Sequence, residues 1–526
     1  MYITLQLNKL RKNKILFMKL NANQQAIMKK NKFLVFLLVI YIVSVFVGAY
    51  RFYSPLPDGD MWHGYINFYL NLLNGDTYAW WEQHNEHRII LSKLFFYLDL
   101  ALFNGLSLSL IPLNLLLLVS SWGMLLLYAN KCLKNSIDAQ SFFYFLVLLT
   151  VFSFSWKQDE NIIWAFQSQF WFVYLLPLLS FYFMGMSEID RKNSLMYFLL
   201  SCCFGVLSIG TMANGILVLP LLTVLALLLK KRWEYIVVLS LLTIIFISLF
   251  FYDYHPAEHE HSILENIKNK KLAMLLFFVE YLGSPLKSLV GSFLLGILHL
   301  YLIFYVIKTV LSRPINPLHL TIIAFVIYYL ISGMIVSAAR VDIGIKAALV
   351  GRYTTPTIIS LFLVLIVYFQ LEPKKIRFLS KRNITIVAIL MLGTQARTFV
   401  KNVEKIHDGQ NFEAMQLELG IHPKEWMQKI ADKAVDKNLS IFGTQPYIDK
   451  RKQLGKVLVI DKCEVVDTKN TEKGKIITKP GTIVYIVDSD RKIQGFGVES
   501  VEHKGTTQLV FSKIKSNSEF FVYQCD

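Results

Sequence analysis

Long apolar stretches alternate with short polar connections from residue 33 to residue 400 of the chain. A helix needs about 20 apolar residues to cross the hydrocarbon core of a bilayer. The pattern therefore predicts a bundle of about 11 transmembrane helices. We place the predicted spans at residues 33–50, 106–128, 141–155, 170–186, 195–211, 215–229, 235–251, 286–310, 318–337, 356–369 and 383–400.

The pattern changes after residue 400, where polar and charged residues become frequent. Residues 456–466 and 481–487 alternate between apolar and polar positions as half-buried strands do, and residues 423–435 follow a helical pattern. This change predicts a small soluble α/β domain behind the membrane bundle. The predicted domains are a basic N-terminal segment at 1–32, a transmembrane domain at 33–400 and the soluble domain at 401–526.

The composition excludes a water-soluble fold. Of the 526 residues, 54% are hydrophobic and only 17% are charged, and a soluble surface does not accommodate so large an apolar share. Much of the net charge of +17 comes from basic residues between the spans, where they set topology and meet anionic lipid headgroups. We therefore predict an all-α polytopic membrane protein with the lipid bilayer as a partner and no nucleic-acid partner.

The distribution of basic residues predicts the orientation, because short loops rich in Lys and Arg stay in the cytoplasm. The first 32 residues hold eight Lys or Arg and no acidic residue, which predicts a cytoplasmic, uncleaved N-terminus. The stretch 89–103 carries Lys93 and Asp99, and counting it as a span would send the later basic clusters outward. We interpret it as interfacial or re-entrant, which places the loop 51–105 and the C-terminal domain outside the cytoplasm.

The part of this first loop at residues 55–88 concentrates acids, histidines and tryptophans between two apolar stretches. Asp58 and Asp60 flank Gly59, where carboxylates accept a proton, bind a divalent ion or form a solvated turn. The neighbouring histidines and acids favour chemistry over a plain turn. If residues 80–99 form a helix, its one face carries two histidines and an arginine. The candidates in this loop are Asp58, Asp60, Trp62, His84, Glu86, His87 and Arg88.

A second polar loop contributes Glu160 and Asn161, with Gln167 at the entry to the next span. Polar side chains at membrane depth are costly and often mark functional sites. The alternative for Gln167 is a structural hydrogen bond between helices. We take all three residues as candidates for binding a substrate.

Arginines mark a third region, with Arg340 at the end of one span and Arg352 beside Tyr353 at the start of the next. Arginine suits bidentate binding of phosphate, although an interfacial arginine also simply extends its charge toward the headgroups. The loop 252–261 alternates His and Glu, which has metal-binding chemistry but lacks the helical spacing of a zinc-protease motif. A flexible loop is the alternative interpretation there.

The five cysteines fall into two groups. Cys132, Cys202 and Cys203 lie in or beside predicted spans, where cysteine usually packs as a small apolar residue. Cys463 and Cys525 lie in the C-terminal domain, and an oxidising compartment permits one disulfide between them. The sequence leaves the bonded and the free state equally open.

The order of these segments resembles the GT-C superfamily of membrane glycosyltransferases. The chain has a basic N-terminus, one span, an acid-bearing first outer loop, many further spans and a C-terminal outer domain. The sequence Pro57-Asp58-Gly59-Asp60 lies where that family usually places its catalytic acid. The segments 81–88 (WEQHNEHR), 160–169 (ENIIWAFQSQ) and 351–353 (GRY) look similar to stretches in bacterial GT-C-like proteins. Among these are the serotype-converting glucosyltransferases that decorate the O-antigen of lipopolysaccharide.

The resemblance implies an inverting hexosyltransferase in the bacterial inner membrane, with a polyprenyl-phosphate-linked sugar as donor and an envelope glycan or lipid as acceptor. It implies that Asp58 or Asp60 is the general base or a metal ligand, and that Arg340 or Arg352 binds the donor phosphate. The chain lacks an adjacent Asp-Glu pair, which leaves Glu86 open as the base. For a divalent cation, Mg²⁺ or Mn²⁺, the candidate ligands are Asp58, Asp60, His84 and His87.

Two other classes of protein remain as alternatives. An O-antigen polymerase or ligase also uses outer arginines, but an acid-rich loop directly after the first span argues against it. A transporter predicts charges at mid-membrane and repeated halves, and the sequence contains no internal repeat. For an enzyme, we expect Asp58 and Asp60 to lie opposite Glu160 and Arg352.

Overall fold

A computed structural model describes the chain in eight segments. These are residues 22–256, 260–314, 316–401, 403–460, 463–466, 475–499, 506–511 and 520–525. Residues 1–21 of the predicted basic N-terminus and residues 257–259 of the loop rich in His and Glu lie outside the described residues.

Helices account for most of the described chain, up to residue 453. In chain order they are α1 (Ala22–Lys30), α2 (Lys32–Arg51), α3 (Phe68–Leu73), α4 (Ile90–Phe103), α5 (Leu110–Tyr128), α6 (Ala139–Ser153), α7 (Asp159–Ile163), α8 (Ser168–Ile189), α9 (Ser194–Ile209), α10 (Val218–Leu228), α11 (Trp233–Phe251), α12 (Glu260–Asn269), α13 (Lys271–Leu282), α14 (Leu289–Leu311), α15 (Pro317–Arg340), α16 (Gly351–Leu371), α17 (Lys381–Lys401), α18 (Val403–Glu418), α19 (Glu425–Asp436) and α20 (Gln445–Gln453).

Within the described residues, nine helical stretches are long and apolar enough to cross a membrane. The protein is therefore a mostly α-helical polytopic membrane protein, as the apolar pattern predicts. The nine stretches are Lys32–Arg51, Leu110–Leu133, Ala139–Ile163, Ala165–Ile189, Arg191–Ile209, Trp233–Phe251, Leu289–Leu311, Pro317–Ile343 and Gly351–Leu371.

The expected count of eleven spans is not confirmed. The predicted span 215–229 corresponds to a shorter apolar stretch, Ala213–Leu228, which contains α10. The predicted span 383–400 corresponds to α17, which is not among the nine stretches and carries charged residues near both of its ends. Helix α4, predicted to be interfacial, is also not among the nine.

Two of the spans begin at side chains that cap their free backbone N–H groups. The Asp138 carboxylate accepts hydrogen bonds from the backbone N–H groups of Gln140 and Ser141 at the start of α6. The Asn316 side chain accepts one from the backbone N–H of Leu318 at the start of α15. Such caps satisfy donors that have no partner inside the helix, so the local sequence sets where these spans begin.

Helix α4 fastens the first loop through two buried charged residues. The Lys93 ammonium donates to the carbonyl oxygens of Ala79 at 2.7 Å and Glu82 at 2.6 Å. The Asp99 carboxylate accepts from the Tyr65 hydroxyl at 2.6 Å and from the backbone N–H of Ser107 at 2.8 Å. The charges that argue against a span at 89–103 therefore hold the loop in place.

The C-terminal region combines α18, α19 and α20 with a six-stranded sheet. The strand order is β1-β6-β3-β4-β5-β2, and every described pairing is antiparallel. Met415 of α18 belongs to the same apolar cluster as sheet residues such as Val487 and Phe496. The strands are β1 (Cys463–Val465), β2 (Lys475–Ile477), β3 (Ile483–Asp488), β4 (Ile493–Glu499), β5 (Thr506–Phe511) and β6 (Phe520–Cys525).

The C-terminal region packs against the first loop. The backbone N–H of Ser440 donates to the carbonyl of Asn104 at 2.8 Å, and the Asn104 side chain donates to the carbonyl of Asn438 at 3.0 Å. The rings of Trp62 and Phe442 lie 6.3 Å apart. The same end of the bundle therefore carries the first loop and the C-terminal region.

Hydrogen bonds hold several interhelical loops together at this end of the bundle. Asn161 donates to the carbonyl of Arg352 at 3.1 Å, and the ring Nδ1 of His87 accepts from the backbone N–H of Ala213 at 3.2 Å. At the opposite end, Lys231 pairs with Glu188 at 2.5 Å. We call the first end the site face, defined by residues 52–67, 81–89, 154–167, 210–217 and 341–350.

Candidate functional site

A cavity of about 140 Å³ opens at the site face between the first loop and the ends of α8, α15 and α16. We call it the central cavity. More than half of the candidate residues identified from the sequence line it, although they come from distant parts of the chain. These residues are Asp60, His84, Glu86, His87, Arg340, Arg352 and Tyr353.

A tight turn, and not a helix, presents the histidines. The backbone N–H of His84 donates to the carbonyl of His87 at 2.9 Å, and the reverse bond measures 3.0 Å. Asn85 inside the turn has a φ of +52°, a left-handed conformation that asparagine tolerates better than most residues. The predicted helix over 80–99 is therefore wrong in its first half, and the shared helical face of His84, His87 and Arg88 does not exist.

His84 and Asp60 form the acid and imidazole pair of the central cavity. The Nε2 atom of His84 lies 4.0 Å from Oδ2 of Asp60, within ion-pair range but too far for a hydrogen bond. His84 is buried, and its Nε2 has no hydrogen-bond partner among the described residues. The His84 imidazole, with help from Arg352 and Arg340, holds the pKa of Asp60 below its ordinary value. Asp60 is therefore ionised at neutral pH.

Arg352 is held in place from several directions. Its backbone N–H donates to Oε2 of Glu160 at 3.1 Å, and its Nε lies 4.0 Å from the same oxygen. The guanidinium carbon lies 5.9 Å from the ring centre of Phe170 and 5.7 Å from that of Tyr353. Because Glu160 accepts the backbone N–H of Arg352 in the first turn of α16, it stabilises the start of that helix and also orients the arginine.

Arg340 supplies the second cation of the central cavity. It is the last residue of α15 and lines the cavity, and its charge contributes to lowering the pKa of Asp60. Two guanidinium groups thus face one cavity at the end of an apolar bundle. Such a pair suits an anion with several oxygen atoms, because each guanidinium presents planar donors that match phosphate.

Three polar residues outside the initial candidate set also line the cavity or its neighbour. Gln169 is only 3% exposed and its Oε1 has no partner among the described residues. Asn214 donates to the hydroxyls of Tyr328 at 3.1 Å and Ser332 at 3.0 Å. Trp164 lines the central cavity and the adjoining one. The sequence signal for these residues is polarity at the ends of apolar helices, which does not separate binding from helix packing.

Asp58 lies in a second cavity of about 450 Å³, which we call the side cavity. Asp159, Glu160, Trp164 and Gln410 line it as well. Asp58 stays open to this cavity, but the surrounding protein removes enough water for burial to raise its pKa, against the opposing charge of Lys424.

The two aspartates therefore occupy adjoining environments. Gly59 between them has a φ of +54°, and a side chain there would meet the Trp164 ring at 3.6 Å. This turn directs Asp58 to the side cavity and Asp60 to the central cavity. We expected Asp58 and Asp60 to lie opposite Glu160 and Arg352 in one site. The structure instead places these residues in two cavities: Asp58 and Glu160 line the side cavity, and Asp60 and Arg352 line the central cavity.

Arg88 lies outside the central cavity. Its guanidinium donates to the carbonyls of Phe250 at 2.7 Å, Trp81 at 2.5 Å and Tyr252 at 2.5 Å, and to that of Asp253 at 3.2 Å. The side chain is only 1% exposed. This geometry ties the first loop to the end of α11 and leaves little of the guanidinium for a substrate.

Three other candidates are buried in the protein core. Trp62 is fully buried against the C-terminal region. Asn161 is fully buried and donates to Thr355 at 2.7 Å as well as to the carbonyl of Arg352. Gln167 is fully buried, and neither of its polar side-chain atoms has a partner among the described residues. These positions support the site from behind.

The described residues contain no group of three or more His, Cys, Asp or Glu arranged to hold a metal ion. Asp60 approaches His84 alone, while His87 pairs with Glu86 at 3.5 Å. Asp58, the fourth candidate ligand, lies in the side cavity. These candidates do not form a site that holds a divalent cation by themselves, and the chemistry derived below uses none.

No protein-family model, no curated protein and no solved structure matches this chain. The geometry of the two cavities therefore carries the functional argument.

Proposed function

We propose that the protein is a membrane glycosyltransferase of the GT-C kind. It moves a sugar from a polyprenyl-phosphate donor to an envelope glycan or lipid on the extracytoplasmic side of a bacterial inner membrane. One observation carries the proposal: an ionised Asp60 shares a cavity with Arg340 and Arg352 at the end of an apolar helix bundle. An acid and two phosphate-binding cations beside a bilayer suit a lipid-linked phosphate donor.

An apolar crevice that is lined in part by the first loop supports a lipid-linked donor. It has a volume of about 520 Å³ and lies between α4, α9 and α11. Leu94, Leu207 and Leu249 line it and are partly exposed on the bundle surface. A hydrocarbon chain placed there keeps its apolar surface out of water, while its phosphate reaches the arginines.

The distribution of charge supports the proposed orientation. The basic connections between α5 and α6, α8 and α9, α10 and α11, α14 and α15, and α16 and α17 lie away from the site face. Basic short loops stay in the cytoplasm, so the site face is extracytoplasmic in this proposal. Helices α10 and α17 then complete eleven spans, because each joins a connection on one side to a connection on the other.

The proposed reaction is a direct displacement at the anomeric carbon. The acceptor hydroxyl oxygen forms the new glycosidic bond as the bond between the anomeric carbon and the phosphate oxygen breaks. The hydroxyl proton passes to Asp58, and the electron pair of the broken bond leaves with polyprenyl phosphate. Arg340 and Arg352 hold the negative charge of the phosphate, and the configuration at the sugar inverts.

The two aspartates take different parts because their environments move their pKa values apart. Burial raises the pKa of Asp58, which makes it the better proton acceptor of the two. Asp60 stays ionised beside His84 and the arginines, and its charge stabilises positive charge that develops on the sugar ring. Glu86, paired with His87, remains a further wall residue of the donor cavity.

The experiment that tests the proposal measures donor binding and sugar transfer by the full chain in lipid nanodiscs. Decaprenyl phosphate is the binding probe, and decaprenol, which lacks the phosphate, is its partner probe. Arg340→Ala and Arg352→Ala each weaken binding of the phosphate by about tenfold or more, since each removes charged hydrogen bonds. Arg232→Ala is the matched control, because Arg232 is exposed and pairs with Glu234.

Two results contradict the proposal. One is equal binding of decaprenyl phosphate and decaprenol by the unaltered protein. The other is an unchanged envelope glycan profile in cells that carry Asp58→Asn and Asp60→Asn together at normal protein levels. Uptake into proteoliposomes without any glycosyl product assigns the protein to the transporter class instead.

A further inference from the structure

The side cavity has an acidic lining that the proposed phosphate donor does not contact. Its described lining includes the carboxylates of Asp58, Asp159 and Glu160, and none of the described residues that line it is basic. Each of these acids has a cation nearby that does not line the cavity: Lys287 approaches Asp159 at 3.0 Å, Arg352 lies 4.0 Å from Glu160, and the charge of Lys424 acts on Asp58. The cavity surface itself is therefore lined by hydrogen-bond acceptors of negative charge.

Two residues that line the same cavity carry polar atoms without partners in the described part of the chain. The indole N–H of Trp164 and the Oε1 of Gln410 are buried and have no hydrogen-bond partner among the described residues. One is a donor and the other is an acceptor. A ligand that both donates and accepts hydrogen bonds satisfies both, and a buried polar atom without a partner is costly.

The aromatic rings of Phe52 and Trp164 add flat apolar surface to the wall. A pyranose ring offers C–H groups on its faces and hydroxyls around its edge, which matches this combination of rings, carboxylates and amide. An acidic sugar does not match it, because its carboxylate or phosphate faces Asp58 and Glu160 without a lining cation to balance it.

We propose that the side cavity binds the acceptor, and that this acceptor presents a neutral or amino sugar and not an acidic one. The proposal rests on the glycosyltransferase function above. Asp58 then faces the acceptor hydroxyl from the side cavity, and Asp60 faces the donor from the central cavity. Trp164 lines both cavities and forms the boundary at which the two substrates meet.

The proposal also gives the C-terminal region a part in recognition. Gln410 belongs to α18, whereas the rest of the described lining comes from the membrane bundle and its loops. The acceptor therefore touches both parts of the chain at once. Its binding depends on the contact between the C-terminal region and the first loop.

The test measures binding of trisaccharides to the full chain in nanodiscs by saturation-transfer NMR and titration. Maltotriose, mannotriose and triacetylchitotriose are the neutral probes, and trigalacturonate is the acidic probe. We expect at least one neutral trisaccharide to bind and trigalacturonate to bind at least tenfold more weakly. Asp58→Asn reduces the difference in affinity between the neutral trisaccharide and trigalacturonate, because it removes one carboxylate that repels the acidic sugar.

Two substitutions locate the binding site. Gln410→Ala weakens the neutral trisaccharide about fivefold, the effect of losing one hydrogen bond. Trp164→Leu weakens it about tenfold through loss of the ring and its N–H, while Trp164→Phe recovers part of the affinity. Gln416→Ala, on the same helix but outside the lining, is the matched control and leaves binding unchanged.

The outcomes separate this proposal from the function on which it rests. No binding of any neutral trisaccharide, equal binding of trigalacturonate, or unchanged binding in both Gln410→Ala and Trp164→Leu overturns the acceptor assignment. If decaprenyl phosphate still binds through Arg340 and Arg352, the glycosyltransferase proposal survives that result. Loss of arginine-dependent phosphate binding contradicts both.

Discussion

The Nε2 atom of His84 lies 4.0 Å from the Oδ2 atom of Asp60, and the arginines Arg340 and Arg352 line the same cavity. The pair joins the tight turn at 84–87 to the loop after α2. Because His84 is buried and otherwise unpartnered at Nε2, its main effect is on the charge and position of Asp60. The relationship leads directly to a test of the two residues together.

Asp60→Asn is expected to lower the rate of sugar transfer by about 100-fold or more, the usual effect of removing a charge aimed at the transition state. His84→Ala lowers it less. The double variant falls no further than Asp60→Asn alone, because His84 acts through Asp60. Full additivity of the two effects in a transfer assay argues against this coupling. His255→Ala, an exposed histidine near Asp253, serves as the control.

The pH dependence of transfer is expected to follow Asp58. A general base works only when it is deprotonated, so activity rises as the pH rises through the pKa of Asp58. That pKa is raised by burial, and the rise in activity therefore occurs at a higher pH than for an ordinary aspartate. Asp58→Asn removes this pH-dependent rise, which we call the acidic limb of the pH profile, together with most of the activity. An acidic limb that persists in Asp58→Asn, measured as kcat/KM against pH, assigns the base to another group.

Arg88 is expected to matter for stability and not for binding of the donor phosphate. Arg88→Lys loses most of the hydrogen bonds to the carbonyls of Trp81, Phe250 and Tyr252 and leaves buried polar atoms without partners. The free energy of unfolding falls by about 3 kcal/mol, seen as a lower melting temperature in detergent. Affinity for inorganic phosphate, chosen because Arg88 also lines the apolar crevice proposed for the lipid chain, stays within about twofold in protein that remains folded. A selective loss of that affinity at an unchanged melting temperature gives Arg88 a substrate contact.

Gly351 permits the close approach of α16 to the second polar loop. A Cβ at this position would lie 2.5 Å from Oδ1 of Asp159 and 3.1 Å from the backbone nitrogen of Glu160. Gly351→Ala is expected to cost about 1–3 kcal/mol and to weaken phosphate binding by displacing Arg352. Gly393→Ala is the matched control, because a Cβ there meets nothing within 4 Å. Equal stability and equal phosphate binding in the two variants contradict this explanation.

Cys463 and Cys525 are bonded, and they lie opposite each other in the register of β1 and β6. The bond closes a separation of 62 residues, and its removal is expected to destabilise the C-terminal region by about 2–4 kcal/mol. Cys463→Ser and the double serine variant have equal effects, while Cys203→Ser, which replaces an exposed free cysteine, has none. The measurement is protease resistance of the region before and after reduction. Free thiols at both positions in protein isolated from cells place the region in a reducing compartment.

The sequence predicted the parts of this protein that depend on local composition. The apolar stretches that contain α2, α5 and α14 are visible in the sequence, because a span must satisfy its backbone internally and present apolar side chains to lipid. The charges Lys93 and Asp99 argue against a span at α4, which is not among the nine stretches. The eleven-span count is not confirmed at α10 and α17, because neither helix is among the nine stretches.

The candidate site could be predicted as a set of residues but not as an arrangement. Polarity within an apolar chain singled out Asp60, His84, Arg340 and Arg352, and the structure places them around one cavity. The same signal also selected Arg88 and Trp62, which are buried in structural contacts. It did not select Gln410, which joins the lining of the side cavity only through the packing of the C-terminal region.

The sequence by itself determined the membrane class, the position of most spans and the polar segments that supply many of the cavity-lining residues, because these follow from hydrophobicity over neighbouring residues. Only the tertiary structure decided which polar side chains line a cavity and which form hydrogen bonds to backbone carbonyls. Asp60 approaches His84, Glu160 holds Arg352, and Arg88 reaches Phe250 across long separations in the chain. Such pairings form only when the helices pack against one another. The turn at Gly59 likewise directs two neighbouring acids, Asp58 and Asp60, into different cavities.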